Sequence, residues 1–256
     1  MQLLRFQFGE GEPRFGWLHQ NNIGIIEGNP FAEFRRAEAN IPLESVRLLA
    51  PIQPSKIVCV GRNYAAHVKE HQAEIPEYPL IFLKPPSSVI GQNDTIILPP
   101  QSKQVEHEAE LAIVIGKRSR WVPAEQATSV IYGYTIANDV TARDLQKRDG
   151  QWTRSKSFDS FCPLGPYIET EFDPADAVIS CFVNDDMRQM ASTRDMIFDT
   201  RQLVAFITSI MTLLPGDIIL TGTPAGVSPL SPGDIVKVSI EGLGILQNPV
   251  AQESSH

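Results

Sequence analysis

Nearly every apolar run in this chain is cut short by proline, glycine or asparagine. LLRFQF, FGWLHQ and IGIIEG fall within the first thirty residues; KIVCVG, PLIFLKP, DTIILPP, VEHEAELAIVIG, VIYGYTIAND, GDIILTG and GDIVKVSIEGLG follow. Apolar, β-branched segments this short, bounded by turn formers, have the length of strands and not of helices. The 20 prolines act in the same sense, because each removes a backbone donor from any helix interior or central strand. One long stretch departs from the pattern. In RQLVAFITSIMTLL, Leu203, Phe206, Ile207, Ile210 and Leu214 recur at helical spacing, and a helix is predicted there. RNYAAHVKEHQAE has helical propensity as well. The expected fold is β-rich α+β, compact rather than an open α/β sheet. Residues 1–50 read as a small N-terminal β domain, the two-proline stretch APIQPSK as a linker, and residues 51–256 as a larger domain that carries the chemistry.

Composition removes several function classes. The net charge is −8 and no basic run occurs, so no nucleic-acid footprint is expected. Cys59, Cys162 and Cys181 are far apart and form no C-x-x-C, which fits a reducing compartment better than a disulfide scaffold. The start MQLLRFQF lacks the charged and apolar regions of a signal peptide. No apolar run is long enough to span a bilayer. A cytoplasmic location and no membrane partner are expected.

The stretch VEHEAELAIVIG reads as one strand. Alternation then puts Glu106, Glu108 and Glu110 on one face, neighbours ~6–7 Å apart, with His107, Ala109 and Leu111 on the other. Carboxylates so close, leading into a buried strand, repel one another and lose hydration. Either they form a solvated strand end or a divalent cation holds them together. Asp139, where YTIAND leaves its strand, is a further candidate, or else a helix cap. An all-oxygen set of this kind suits Mg²⁺, Mn²⁺ or Ca²⁺ and suits zinc poorly. Residues 67–71 read HVKEH, which matches the H-x-x-E-H of inverted zinc peptidases. No convincing third ligand follows on a later helix.

GRNYAAHVKE, FLKPPSSVIG, HEAELAIVIGK, NDVTARDLQ, SKSFDSFCPLGP and LTGTPAGV stand in the order and spacing of the fumarylacetoacetate hydrolase family. The chain resembles its short members over roughly residues 50–250: acylpyruvate hydrolases, oxaloacetate decarboxylases or tautomerases, and 2-hydroxyhepta-2,4-diene-1,7-dioate isomerases. The resemblance implies a rolled mixed β-sheet (β-roll) catalytic domain behind the small N-terminal β domain, and a homodimer. It implies Mg²⁺ or Mn²⁺ on Glu108, Glu110 and Asp139, with Glu106 outside the matched E-x-E. It implies a catalytic His67–Glu70 dyad on a segment that closes over ligand. Residues three apart on a helix face each other, so Glu70 can orient the imidazole of His67 as a base, and His71 is left without a role. Lys156 and Gln146 match residues that stabilise enolate charge, and Thr223 matches one that binds the substrate carboxylate. Gly222 and Gly226 beside it permit close backbone approach. Arg143 can grip a substrate carboxylate bidentately or form a structural salt bridge. The activity implied is metal-dependent C–C bond hydrolysis of a small β-diketo (acylpyruvate-type) acid. Oxaloacetate decarboxylation or tautomerisation and dienedioate isomerisation are alternatives on the same site. A non-catalytic metal-binding domain is a more remote one.

Overall fold

The computed structural model describes residues 1–254. Strands β1 (Gln2–Gln7), β2 (Arg14–His19), β3 (Asn22–Gly28) and β4 (Phe34–Pro42) form an antiparallel meander, and β5 (Arg47–Leu49) returns to pair with β1. The stretch expected to be a linker is packed instead: Ala50, Pro51, Ile52 and Pro54 are buried. Its apolar residues leave water together with the core below them, which a free linker could not do. There follow β6 (Ile57–Gly61), helix α1 (Ala65–Glu70), β7 (Leu80–Lys84), β8 (Val89–Ile90), β9 (Ile96–Leu98), β10 (Val105–Glu106), β11 (Ala109–Ile115), β12 (Ile131–Asn138) and β13 (Thr141–Ala142). Two short helices, α2 (Arg143–Asp149) and α3 (Thr153–Lys156), precede β14 (Cys162–Glu169), β15 (Val178–Val183) and β16 (Asp186–Ser192). Helix α4 (Thr200–Ile210), β17 (Ile218–Leu220), β18 (Ile235–Ile240) and β19 (Gly244–Gln252) complete the chain.

The strands make a large mixed sheet in the order β4-β3-β2-β1-β14-β12-β11-β17-β6-β7 and a second sheet in the order β16-β15-β18-β19-β9. β17 and β6 run parallel, as do β19 and β9. The β-rich architecture expected from the short apolar runs, and the mixed sheet that the family resemblance implies, are both observed. β11 lies in the interior with all seven residues buried. Alternation sends Leu111, Ile113 and Ile115 into one hydrophobic core and Ala112 and Val114 into another. Each large aliphatic chain so buried stabilises the fold by ~1.5–3 kcal/mol.

Two expectations need correction. Helix α4 forms, capped by Asp199, which accepts from the Arg201 and Gln202 amides at 2.9 Å each. It ends at Ile210, so Leu214 lies outside it, and Ile210 is half exposed. The buried face is Thr200, Leu203, Val204, Ile207 and Thr208. The acidic strand is not continuous either: His107 and Glu108 interrupt it between β10 and β11. The register carries across the gap, because Glu106 faces Thr141 and Ala109 faces Asn138. Glu108 therefore lies opposite Asp139, whose amide still donates to the Glu108 carbonyl at 2.9 Å. Side chains take over other backbone bonds there. The Asn138 Oδ1 accepts from the Glu108 amide at 2.9 Å, and the Val140 amide turns to the Phe161 carbonyl. The ladder thus opens where the carboxylates converge.

Candidate active site

Glu108, Glu110 and Asp139 are all buried, and one carboxylate oxygen of each lies within 4.8 Å of the others. Their surroundings are not uniform. Lys156 Nζ donates to Glu108 Oε2 at 2.8 Å and to Asp139 Oδ2 at 2.7 Å. Arg143 donates to Glu108 Oε1 at 2.5 Å, to Glu106 Oε2 at 2.7 Å and to Gln146 Oε1 at 2.6 Å. Lys84 Nζ, from the end of β7, donates to Asp139 Oδ1 at 2.5 Å. Glu110 accepts only the Gly222 amide, at 2.7 Å, among the described residues. Gly222 has φ +95°, and a Cβ there would lie 2.7 Å from that of Asn63, so only glycine brings this amide to the carboxylate. Asn63 fixes the same loop by donating to the Thr221 and Phe198 carbonyls.

Four buried carboxylates, Glu106, Glu108, Glu110 and Asp139, thus face three buried cations, Lys84, Arg143 and Lys156, an excess of one negative charge. The excess falls on Glu110. Burial pushes its pKa well up, and Asp139 and Glu108 push it further. Burial raises the Glu108 pKa too, but Lys156 and Arg143 outweigh this and hold it far below the carboxylate range. The donor set is hard, all oxygen and under-compensated, which is what a divalent cation of the Mg²⁺ or Mn²⁺ kind satisfies. The residues fit such an ion.

His67 is buried on α1, and its Nδ1 meets Glu70 Oε2 at 3.1 Å. Glu70 Oε1 accepts the Gly226 amide at 3.1 Å. Gly226, at φ +102°, has the Arg188 carbonyl 2.0 Å from where a Cβ would stand. Burial lowers the His67 pKa, and Glu108 and the Glu70 hydrogen bond offset this only in part. The imidazole is therefore neutral near pH 7, with Nε2 free to accept a proton. A cavity of about 210 Å³ is lined by His67, His71, Glu108, Glu110, Arg143, Gln146, Lys156 and Thr223. Of the residues expected to act in catalysis, substrate binding or metal ligation, Glu70 and Asp139 do not line it directly.

Two of those side chains are committed elsewhere. The Arg143 guanidinium is occupied by Glu106, Glu108 and Gln146, the salt-bridge option. The Thr223 hydroxyl donates to the Ala109 carbonyl at 2.9 Å and accepts from Gln189 Nε2 at 2.8 Å. Gln189 is a residue the sequence did not reveal. Its Oε1 accepts the Ala109 amide at 3.1 Å and contacts His107 Nδ1 at 3.0 Å, and its Nε2 also donates to the Pro224 carbonyl at 2.7 Å. One fully satisfied amide from β16 thus ties the backbone between Glu108 and Glu110 to the Thr223 loop. Lys84 was also missed. The only signal was a lysine on the Leu80–Phe82–Lys84 side of an apolar run, with no polar neighbour in sequence.

The model of the fumarylacetoacetate (FAA) hydrolase C-terminal family matches residues 56–251. The chain belongs to this family. A second family model, Rv2993c-like N-terminal, matches residues 1–51. The chain is 46% identical to the mitochondrial oxaloacetate tautomerase Fahd2a of Rattus norvegicus, over 82% of this chain and 71% of that protein. The crystal structure of 2-hydroxyhepta-2,4-diene-1,7-dioate isomerase from Mycobacterium marinum superposes with a TM-score of 0.91 at 46% identity, covering 100% of each chain. Maleylpyruvate hydrolase from Sphingobium sp. SYK-6, in complex with manganese(II) and pyruvate, superposes with a TM-score of 0.82 at 34% identity, over 99% of this chain and 100% of that one. Members of the FAA hydrolase family thus include isomerases, tautomerases and hydrolases of small organic acids. No helix among the described residues is long and apolar enough to cross a membrane.

Proposed function

We propose that this FAA hydrolase family member is a divalent-metal-dependent enzyme that enolises a small 2-oxo acid, with keto–enol tautomerisation of oxaloacetate as its reaction. The observation that carries the reading is the under-compensated carboxylate cluster with a neutral, carboxylate-oriented histidine lining the same cavity. The similarity to oxaloacetate tautomerases supports the choice of substrate. Glu108, Glu110 and Asp139 would hold the cation, which when bound acts as a Lewis acid on the 2-oxo group. His67 takes a proton from the carbon beside that group through Nε2. Glu70 holds the imidazolium formed, and the proton is returned to the enolate oxygen. Lys156, anchored by Glu108 and Asp139, keeps a positive charge beside the developing enolate. Gln146 takes part in the same enolate stabilisation. Thr223 positions the substrate carboxylate through its loop, since its hydroxyl proton is already given to Ala109.

A second reading is hydrolysis of a C–C bond in an acylpyruvate-type acid, with His67 drawing the proton from water. The intact His67–Glu70 pair and the likeness to maleylpyruvate hydrolase favour it. One experiment separates the two. Chelated protein is restored with Mg²⁺ or Mn²⁺ and given enol-oxaloacetate or acetylpyruvate. Accelerated loss of the enol absorbance with oxaloacetate conserved supports tautomerisation. Release of acetate and pyruvate from acetylpyruvate supports hydrolysis, and turnover of neither overturns both.

Replacing Glu70 by glutamine gives a pH signature. The Glu70 hydrogen bond raises the His67 pKa against the larger, opposite effect of burial. Its loss should shift the acid limb of the kcat profile to lower pH, while the plateau rate falls because the imidazolium is less well held. A profile whose limb stays in place would remove His67 as the titrating group.

A further inference from the structure

The proposed chemistry uses His67 and Glu70 but leaves the H-x-x-E-H pattern, and His71 with it, unexplained. His67 and Glu70 are one helical turn apart, and His71 follows directly at the end of α1. One ring nitrogen of each histidine and one Glu70 oxygen lie within 4.8 Å of one another. The imidazole rings of His67 and His71 pack edge-on with centroids 4.5 Å apart. Both histidines line the active-site cavity, and Glu70 and His71 are open to solvent. We infer that His67, Glu70 and His71 form a second cation site, selective for imidazole-seeking divalent ions such as Zn²⁺, whose occupation switches the enzyme off.

The donor chemistry sets this site apart from the carboxylate cluster. Two imidazoles and a carboxylate suit Zn²⁺, Cu²⁺ or Ni²⁺, whereas three carboxylates suit Mg²⁺ or Mn²⁺. Three protein ligands leave a fourth position for water. Ligand bonds of about 2.0–2.2 Å require the donors to close in. The His71 side chain can supply that movement, because it is exposed at the C-terminal cap of α1. Glu70 is steadied by the Gly226 amide. Occupation disables His67 through either nitrogen. A cation on Nε2 takes the lone pair that would accept the substrate proton. A cation on Nδ1 leaves the ring hydrogen on Nε2, which then accepts nothing.

The binding stands on geometry; the inhibition rests on the base role proposed for His67. The test is calorimetric titration of Zn²⁺ into wild type, His71→Ala and Glu110→Gln proteins in excess Mg²⁺, with turnover measured in parallel. Wild type and Glu110→Gln should each bind one Zn²⁺ at this site. His71→Ala should bind it at least about tenfold more weakly, since one of three ligands is gone. Undiminished Zn²⁺ binding by His71→Ala, or none by Glu110→Gln, would overturn the site. Micromolar Zn²⁺ should stop wild-type turnover and leave that of His71→Ala unchanged relative to its own Zn²⁺-free rate. Zn²⁺ bound as described with turnover unchanged would overturn the switch, and with it the base role of His67, while the site itself stands.

Discussion

Glu110→Gln should leave the protein unable to use Mg²⁺ or Mn²⁺ and yet more heat-stable, without metal, than the wild type. Glu110 is the carboxylate with no cation of its own: it has the Gly222 amide and two like-charged neighbours. Its pKa is raised in the folded chain, by burial first and then by Asp139 and Glu108. A raised carboxyl pKa means that the stability contributed by Glu110 is greatest below the ordinary carboxyl range and is lost as pH rises through the raised value. A glutamine keeps the acceptor for Gly222, adds donors toward the neighbouring carboxylates and removes this loss. Each kcal/mol recovered near neutral pH would lift Tm by ~2–4 °C for a chain of this size. Glu108→Gln should also abolish metal use, but with the opposite thermal result. It leaves Lys156 and Arg143 buried with an amide where a charge had been, and breaking buried pairs costs about 3–5 kcal/mol. Thermal scans in chelator near neutral and at acid pH, with Mn²⁺ titrations alongside, read both effects. Equal loss of Tm in the two variants would refute the charge accounting on which the metal site rests.

How much of this was legible in the sequence differs from element to element. The β-rich class follows from strand-length apolar runs ended by Pro, Gly and Asn, and it is observed. Glu108 and Glu110 were visible because a carboxylate pair leading into AIVI has few structural excuses. The continuity of that strand was not visible. The break at His107–Glu108 comes from the Asn138 side chain replacing a backbone partner, and no local propensity signals a contact thirty residues away. Lys84 and Gln189 were hidden for the same reason. A lysine at the end of LIFLK and a glutamine in DMRQMAS look like solvent-facing residues of edge strands, and only the fold turns them inward. Phe206, Ile207 and Ile210 did mark a helix, but its apolar face was set by packing. Helical spacing cannot tell that Met211 turns extended and ends α4.

His67→Ala should lower kcat by about 10²–10⁴-fold, the usual worth of a positioned general base, with little effect on metal affinity. The argument rests on three features. The imidazole is buried beside the cavity, its pKa is lowered so that it is neutral at working pH, and its Nδ1 is engaged by a carboxylate that leaves Nε2 as the base. Both tautomerisation and hydrolysis need that base, the first at carbon and the second at water, so both predict the loss. Decarboxylation of oxaloacetate does not, because carbon dioxide leaves without a proton being removed, and charge stabilisation by the metal and Lys156 then suffices. A His67→Ala enzyme that keeps its rate would therefore shift the reaction to decarboxylation and leave Lys156 as the group to test next. A large loss, partly restored by added imidazole in the space the side chain leaves, would place the proton transfer at His67. Mn²⁺ affinity separates this from a collapsed site: it should stay within a few-fold of wild type, since the Glu108, Glu110 and Asp139 cluster draws no hydrogen bond from His67.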